Sequence, residues 1–318
     1  MKAFVTGGSG FIGGVLVRRL VADGVQVSAL ARSEASADRV RALGAEPFVA
    51  DLTGDLTAGV EGCEVAYHAA AFVEQWGPWE EFQRATVDGT RNVLAACSAA
   101  AVKRFVHVGT EAALVDGNAL MNADESWPLK PDSRAYYPRS KARAEQAVVA
   151  ANGHGGMETV VVRPRFVWGP GDTTLLPGIV ELIRGGKFAW VGGGGNLTST
   201  AHVDNVVEGL VLAAEKGRAG EAYFITDGEP IAFREMITAM VATEGVDPGK
   251  RNVPAGVAKP AAAAAEGIWR TLRLKSEPPI TRLAVWNSAL ECTVDDSKAR
   301  RELGYEPVIT REEGLAAL

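Results

Sequence analysis

The stretch Lys2-Ala-Phe-Val-Thr6 followed by Gly7-Gly8-Ser9-Gly10-Phe11-Ile12-Gly13 decides how this chain is read. An apolar run that meets closely spaced glycines and then Gly14-Val-Leu-Val-Arg-Arg-Leu20 is a strand, a tight turn and the start of a helix. Glycine lets the backbone turn sharply and approach a pyrophosphate, whose charge the unpaired N–H groups of a helix N-terminus can meet. Two spacings fit, Gly7-x-x-Gly10-x-x-Gly13 and Gly8-x-Gly10-x-x-Gly13, and the flanking strand and helix supply the context that such a motif needs. Gly7, Ser9, Gly10, Phe11, Ile12 and Gly13 are therefore the expected phosphate cradle of a dinucleotide.

Working outward, Gly24 closes the first helix and residues 25–31 form a buried parallel strand, which completes a βαβ unit. The residue at the end of that second strand selects the cofactor: a carboxylate binds the ribose diol, a cation the 2′-phosphate. Here it is Ala31-Arg32-Ser33. The planar fork of Arg32 and the hydroxyl of Ser33 suit the extra phosphate, so NADP(H) is expected over NAD, the alternative being a solvated arginine stacked on adenine. Asp51-Leu52, after a strand at 46–50, falls where the adenine ring would lie, and Ala69 and Ala70, after a strand at 65–68, leave room for the dinucleotide. His68 and Asp51 have ordinary structural alternatives as a strand-end histidine and a turn aspartate.

The alternation runs on through a helix at 86–101, a strand at 104–108, a helix at 139–151 and a strand at 159–163 ended by Pro164. It predicts an α/β fold, a Rossmann-type doubly wound parallel sheet with a smaller, mainly helical C-terminal substrate domain. Residues 1–165 make the dinucleotide-binding domain, 201–226 return to it, and 166–200 with 227–318 make the substrate domain.

Composition narrows the partners. A net charge of −6 and 47% hydrophobic residues give no basic footprint for nucleic acid, and no run of Lys and Arg suggests a lipid surface. The alanine run at 261–265 is too short to span a membrane. Cys63, Cys97 and Cys292 are odd in number and widely spaced, which fits neither a disulfide framework nor a metal site. The first strand begins almost at once, without a signal peptide, so a reducing, cytoplasmic setting is expected.

The chemistry centres on Tyr137-Pro138-Arg139-Ser140-Lys141. Tyr and Lys four apart share a helical face, so the ammonium can stand beside the phenol and lower a pKa of ~10 toward neutrality. Lys141 can also hold the nicotinamide ribose. Thr110, at the exit of the strand at 104–108, is the third member, its hydroxyl exchanging hydrogen bonds with the substrate oxygen that Tyr137 protonates. Glu111 beside it is read as a turn cap rather than as a base.

The chain resembles the extended short-chain dehydrogenases/reductases, the NAD(P)-dependent epimerase/dehydratase superfamily, and within them the 3β-hydroxysteroid dehydrogenase/isomerase branch. The matching stretches are TGGSGFIGG from Thr6, HAAA from His68, VDGTRNVL from Val87, GTEAAL from Gly109, YPRSKARAE from Tyr137, RPRFVWGPGD from Arg163, HVDNVVEG from His202 and DDSKARRELGYEP from Asp295. The resemblance implies Tyr137 as acid/base, Lys141 as its electrostatic partner, Thr110 as the third member, and dimerisation through a four-helix contact. Thr86 stands where the family often has asparagine, which removes a water relay at that position, and Ala31 and Arg32 replace the aspartate of NAD-using members. The expected reaction interconverts a secondary alcohol and a ketone on a hydrophobic, steroid-like substrate, with Trp76, Trp79, Phe166, Trp168, Trp190, Trp269 and Trp286 as candidate walls. Alternatives are a nucleotide-sugar epimerase or dehydratase with tightly bound NAD, which would need a diphosphate site among Arg184, Arg270, Arg273 and Arg282, a dihydroflavonol-type ketone or aldehyde reductase, and a cofactor-sensing protein without catalysis.

Overall fold

Seven parallel strands form the central sheet of the computed structural model, which describes residues 1–274 and 276–318. They are β1 (Lys2–Thr6), β2 (Gln26–Ala31), β3 (Glu46–Val49), β4 (Val65–His68), β5 (Arg104–Val108), β6 (Glu158–Pro164) and β7 (Ala222–Ile225), in the spatial order β7-β6-β5-β4-β1-β2-β3. The order reverses at β1, between β2 and β4. That switch point opens a crevice at the carboxyl ends of the strands.

Alternation along each strand sends side chains to two cores. Ala3, Val5, Val27, Ala29 and Val106 meet Leu16, Val17 and Leu20 of helix α1 (Phe11–Ala22) on one face. Phe4, Leu30, Ala66 and Phe105 meet Val93, Leu94 and Cys97 of α3 (Gly89–Ala99) and Val148 of α4 (Tyr136–Ala150) on the other. Between them in sequence lies α2 (Glu34–Ala42), whose Val40 joins the first core. Both faces are covered, as parallel strands without polar alternation require. The helix expected over 86–101 begins instead with a π-helical turn, Gln83–Asp88, before the regular α3. Such turns insert an extra residue and re-aim side chains.

Segments beyond β6, joined by Leu120–Ala123 from the stretch between β5 and α4, build a mixed four-stranded sheet ordered Ile231–Ala232, Leu197–Thr198, Cys292–Val294, Leu120–Ala123, with helices Leu175–Arg184 and Phe233–Thr243 beside it. The HVDN stretch opens α5 (Val203–Lys216) and acts as a latch. The Asp227 carboxylate accepts hydrogen bonds from the Trp168 indole (2.7 Å), the Thr200 hydroxyl (2.7 Å) and the Asn205 amide (2.8 Å). The Asn205 carbonyl accepts from the N–H groups of Val308 (2.7 Å) and Ile309 (3.1 Å), and the Tyr305 hydroxyl donates to the Thr226 carbonyl at 2.7 Å. The end of the chain is thereby sewn to its middle.

Candidate active site

The cradle follows the first of the two glycine spacings. Gly7 has φ +73°, and a Cβ there would come within 2.9 Å of the Ala69 and Ala70 backbone. A Cβ on Gly13 would lie 2.2 Å from the Gly7 carbonyl, so α1 can pack under the turn only with glycine at that place. The N-terminus of α1 carries neither a side-chain cap at Gly10 nor an acid in its first turn. Its N–H groups remain for an anion. An uncapped helix start behind a turn too tight for side chains fits a dinucleotide diphosphate.

Sheet register sets the rest of the crevice. Thr6 pairs with His68 and His68 with His107, so the exits of β1, β4 and β5 share one edge. A directional hydrogen-bond chain fixes the loop after β4. The Ala70 N–H donates to the Thr6 hydroxyl (3.2 Å), which meets His68 Nδ1 (2.7 Å), while Nε2 meets the Thr90 hydroxyl (2.9 Å) and Thr90 donates to the Thr86 carbonyl (2.6 Å). Because the proton of Thr90 goes to Thr86, His68 must carry its hydrogen on Nε2 and accept from Thr6 at Nδ1. Thr86, where a relay asparagine is absent, accepts from the Phe72 N–H at 3.0 Å and so holds the same loop. His68 is a structural pin. Burial, and then the charge of Lys141, push it down to about 3. His107, stacked on it at 5.4 Å with neither ring nitrogen partnered, is held well below the usual histidine range by burial, Lys141 and His68.

Tyr137 lies in the first turn of α4 and Thr110 at the exit of β5. The spacing predicts the Lys141 ammonium beside the phenol. The structure directs it to the Val108 carbonyl at 2.7 Å, where burial lowers it to about 8 against the opposing charge of Glu145. The phenol is not acidified here. Burial and then the nearby Glu111 push Tyr137 well above the usual phenol value, while the Thr110 hydroxyl and the Arg165 guanidinium pull it partly back. Arg165, which sequence reasoning missed, is the cation beside the phenol.

Glu111 is not the turn cap that its position suggests. Thr110 is, accepting from the Ala112 N–H at 3.2 Å. The Glu111 carboxylate accepts from the Thr110 hydroxyl at 2.7 Å and pairs with Arg165 Nη1 at 2.6 Å, both ion-pair partners being about 95% buried (5% and 4% exposed). Arg165 Nε reaches the Thr198 hydroxyl at 3.3 Å, and its Nη2 has no partner. A second buried pair, Arg163 Nε to Glu145 at 2.9 Å, ties β6 to α4 just behind. These partners lie 54 and 18 residues apart, with no motif to join them.

At the adenosine end Arg32 is exposed, but the Ser33 hydroxyl is engaged. It caps α2 and shares a 2.9 Å bond with Ser36, so it is not a free phosphate donor. Asp51 is exposed and forms a turn, accepting from the N–H (2.9 Å) and hydroxyl (2.6 Å) of Thr53. These bonds, then the charges of Arg84 and Arg32, depress its carboxyl. Arg84, 3.8 Å from Asp51, is brought there by the π-helical turn and has no sequence signal. Leu52 rests on Gly89, where a Cβ would lie 2.5 Å from its methyl, and Asn92 holds the Leu52 carbonyl at 2.9 Å. Pro164 closes β6, directly before Arg165.

Not all the aromatic candidates are walls. Trp168 and Trp190 are core residues whose indoles bind Asp227 and the Gly249 carbonyl (2.9 Å). Trp286 packs in the cluster that Tyr137 joins, and Trp76 and Trp79 flank Tyr136. The Trp269 indole turns to Ser276 at 3.3 Å. Phe166 sits at φ +47°, a conformation costly for a bulky side chain and typical of strained functional positions. The arginines that a diphosphate would need form no free site, since Arg270 and Arg282 meet only at the Glu266 carboxylate between them. Arg282 is held by Glu266 at 2.6 Å, Arg270 lies over the Tyr136 ring, and Arg184 and Arg273 are exposed elsewhere.

The profile of the 3-beta hydroxysteroid dehydrogenase/isomerase family matches residues 4–255. The chain is 49% identical to a "4-hydroxy-2-methyl-3-oxo-4-farnesyl-3,4-dihydroquinoline-1-oxide ketoreductase" of Stigmatella aurantiaca, covering 100% of this chain and 96% of that one. It is 36% identical to a "2-alkyl-3-oxoalkanoate reductase" of Stenotrophomonas maltophilia, over 100% and 98% of the two chains. Among solved structures, the dTDP-glucose 4,6-dehydratase DesIV of Streptomyces venezuelae with NAD bound superposes with a TM-score of 0.78 at 26% identity, covering 99% of this chain and 95% of the other.

Proposed function

The chain belongs to the 3-beta hydroxysteroid dehydrogenase/isomerase family, and on that premise we propose that it reduces a ketone on an extended apolar substrate, using a nicotinamide dinucleotide. The observation that carries the reductive reading is the 49% identity over the whole chain to a ketoreductase and the 36% identity to a reductase, with the Tyr137 phenol beside Thr110 kept protonated by burial and Glu111. When bound, the nicotinamide supplies a hydride to the carbonyl carbon. Tyr137 gives its proton to the carbonyl oxygen, and the Arg165 guanidinium offsets the phenolate charge that results. Thr110, whose own hydrogen points to Glu111, lies against the phenol and positions its ring. Lys141, with two N–H donors left beyond Val108, is assigned to the nicotinamide ribose.

NADPH is the preferred donor in this reading. No carboxylate stands at the end of β2, and Arg32 and Arg84 converge at the adenosine end. Residues 166–200 and 227–318 are assigned to the substrate, with Phe166 and Trp286 as apolar contacts. The long helices α3 and α4 present small residues, Ala95, Ala99, Ala147 and Ala150, along one shared groove, which suits a second copy in a four-helix contact. No helix among the described residues is long and apolar enough to cross a membrane, and the three buried free thiols suit a reducing cytoplasm.

Net loss of NADPH absorbance with hydrophobic ketones tests the reaction; the epimerase reading predicts none. Tyr137→Phe lowers kcat by ~10²–10⁴-fold. Full turnover by that variant would remove the mechanism. Arg32→Ala with Arg84→Ala raises the KM for NADPH about tenfold or more and leaves NADH unchanged, whereas equal losses for both cofactors refute the phosphate site.

A further inference from the structure

Arg165 stands directly after the proline that ends β6, with only 5% of its side chain exposed. An arginine is seldom sunk so far unless its nitrogens are paired. Nη1 is taken by Glu111 at 2.6 Å and Nε by the Thr198 hydroxyl at 3.3 Å. Nη2, on the same planar fork, is enclosed and has no acceptor. A buried donor without a partner costs the fold free energy that an apolar residue would not, and such groups persist where a ligand or a water supplies the missing acceptor.

The fork has no slack. Both Glu111 oxygens are engaged, one by Arg165 and the other by the Thr110 hydroxyl at 2.7 Å, and the Thr198 hydroxyl spends its own hydrogen on the Ser199 carbonyl at 3.1 Å. Nη2 lies at the reacting end of the crevice, because the guanidinium acts on the Tyr137 phenol and the phenol on it. The ring of Phe166, half-buried on a backbone at φ +47°, lies 5.9 Å from the guanidinium carbon and begins the segment assigned to the substrate.

Charge decides which acceptor fits. The titratable neighbours acting on Arg165 are Cys292, Glu111 and Tyr137. Burial pushes the Cys292 thiol up to about 12 and the phenol above its usual value, so both are neutral and Glu111 alone balances the guanidinium. Lys141 is committed to the Val108 carbonyl at 2.7 Å. An anion at Nη2 would bring a second negative charge beside Glu111 into an interior without water, whereas a neutral oxygen brings none. We propose that Arg165 Nη2 is a specificity element: it donates to a second, uncharged oxygen that the substrate carries close to the reacting carbonyl, as in a β-diketone, while Tyr137 takes the carbonyl that is reduced. The proposal rests on the ketone-reducing reading of the site. It narrows that reading to ketones with two neighbouring oxygens and ranks neutral β-diketones above β-oxo acids.

Three ligands of equal length test it on the unaltered protein with NADPH: an apolar monoketone, the β-diketone made by adding one carbonyl and blocked against enolisation by methyl groups, and the matching β-oxo carboxylate. The expected kcat/KM for the diketone exceeds that for the monoketone by about tenfold or more, and the carboxylate gains nothing over the monoketone. Equal values for diketone and monoketone overturn the proposal, since a trapped water then fills Nη2. A carboxylate preferred to the diketone overturns the neutral-acceptor assignment. Arg165→Lys keeps a charge beside Glu111 without the fork, and Arg165→Met with Glu111→Gln removes the whole pair. Each brings the diketone-to-monoketone ratio close to one, whatever it does to the absolute rate, and a ratio unchanged in both refutes the role of Arg165. Calorimetry on the Tyr137→Phe protein with NADPH reads the same preference as affinity, without turnover. If no ketone consumes NADPH yet the diketone binds about tenfold tighter than the monoketone, the reduction fails and the subsite stands. Turnover without preference leaves the reaction and removes the subsite, and the absence of both removes both.

Discussion

Acid should unfold this protein through the two histidines behind Lys141. In the unfolded chain each ring titrates near 6.5; folded, His68 is held to about 3 and His107 well below 6.5. The native state therefore binds fewer protons than the unfolded one below pH 6.5. The stability that rests on neutral rings is complete above that value and is lost as pH falls toward the folded values. At pH 5 the penalty is set almost wholly by the unfolded value, because the folded rings are still neutral there. It amounts to ~2 kcal/mol for His68, with His107 adding in the same direction, against a total of about 5–15 kcal/mol for an ordinary domain. Protonated His68 could no longer accept from Thr6, so the 69–72 loop would loosen with it. Urea unfolding at pH 7 and pH 5 measures the effect. His107→Phe keeps a ring stacked on His68, removes one titrating group, and shrinks the loss between the two pH values. Equal losses in variant and parent would mean that His107 ionises freely in the fold, and the account of the buried pair would fail.

Gly13→Ala places a Cβ 2.2 Å from the Gly7 carbonyl, so the cradle must open, costing about 1–3 kcal/mol by overpacking and abolishing NADPH binding in a fluorescence titration. Gly24→Ala is the control: its φ of +77° makes it strained, but nothing lies within 4 Å, and cofactor binding survives. Glu111→Gln leaves Arg165 uncompensated in the interior and costs about 3–5 kcal/mol in thermal unfolding, with Glu111→Gln/Arg165→Met costing less than the sum of the singles. Because Glu111 raises the Tyr137 phenol, removing its charge also moves the alkaline limb of the kcat profile to lower pH. An unmoved limb would separate Glu111 from the phenol.

The succession of strands and helices along the chain and the glycine turn were legible because each is written in a few adjacent residues. Continuous short apolar runs between helical stretches fit buried parallel strands, and the positions of Gly7, Gly10 and Gly13 follow from one turn. What escaped depends on contacts between distant residues. The Glu111–Arg165 pair joins two strand exits, and the Thr6–His68–Thr90 chain joins two strands and a helix. Lys141 and Tyr137 share a helical face as their spacing demands, yet helical spacing does not say that a strand carbonyl takes the ammonium. Trp168, Trp190 and Trp286 all read as candidate walls on paper, and only the packing shows that each is buried in a core cluster. Arg84 needed a π-helical turn to arrive beside Asp51.

The latch at Asn205 has a bearing on how the protein is made. While a ribosome still holds residues 305–309, a nascent polypeptide already contains every strand of the main sheet but lacks the main-chain donors of Val308 and Ile309 and the hydroxyl of Tyr305. The side-chain carbonyl of Asn205 and the exit of β7 then wait in an interior built to exclude water. Completion of the main sheet's latch is thus timed by the emergence of residues 305–309, and a chain clipped before Tyr305 would be prone to proteolysis rather than a slightly weaker enzyme.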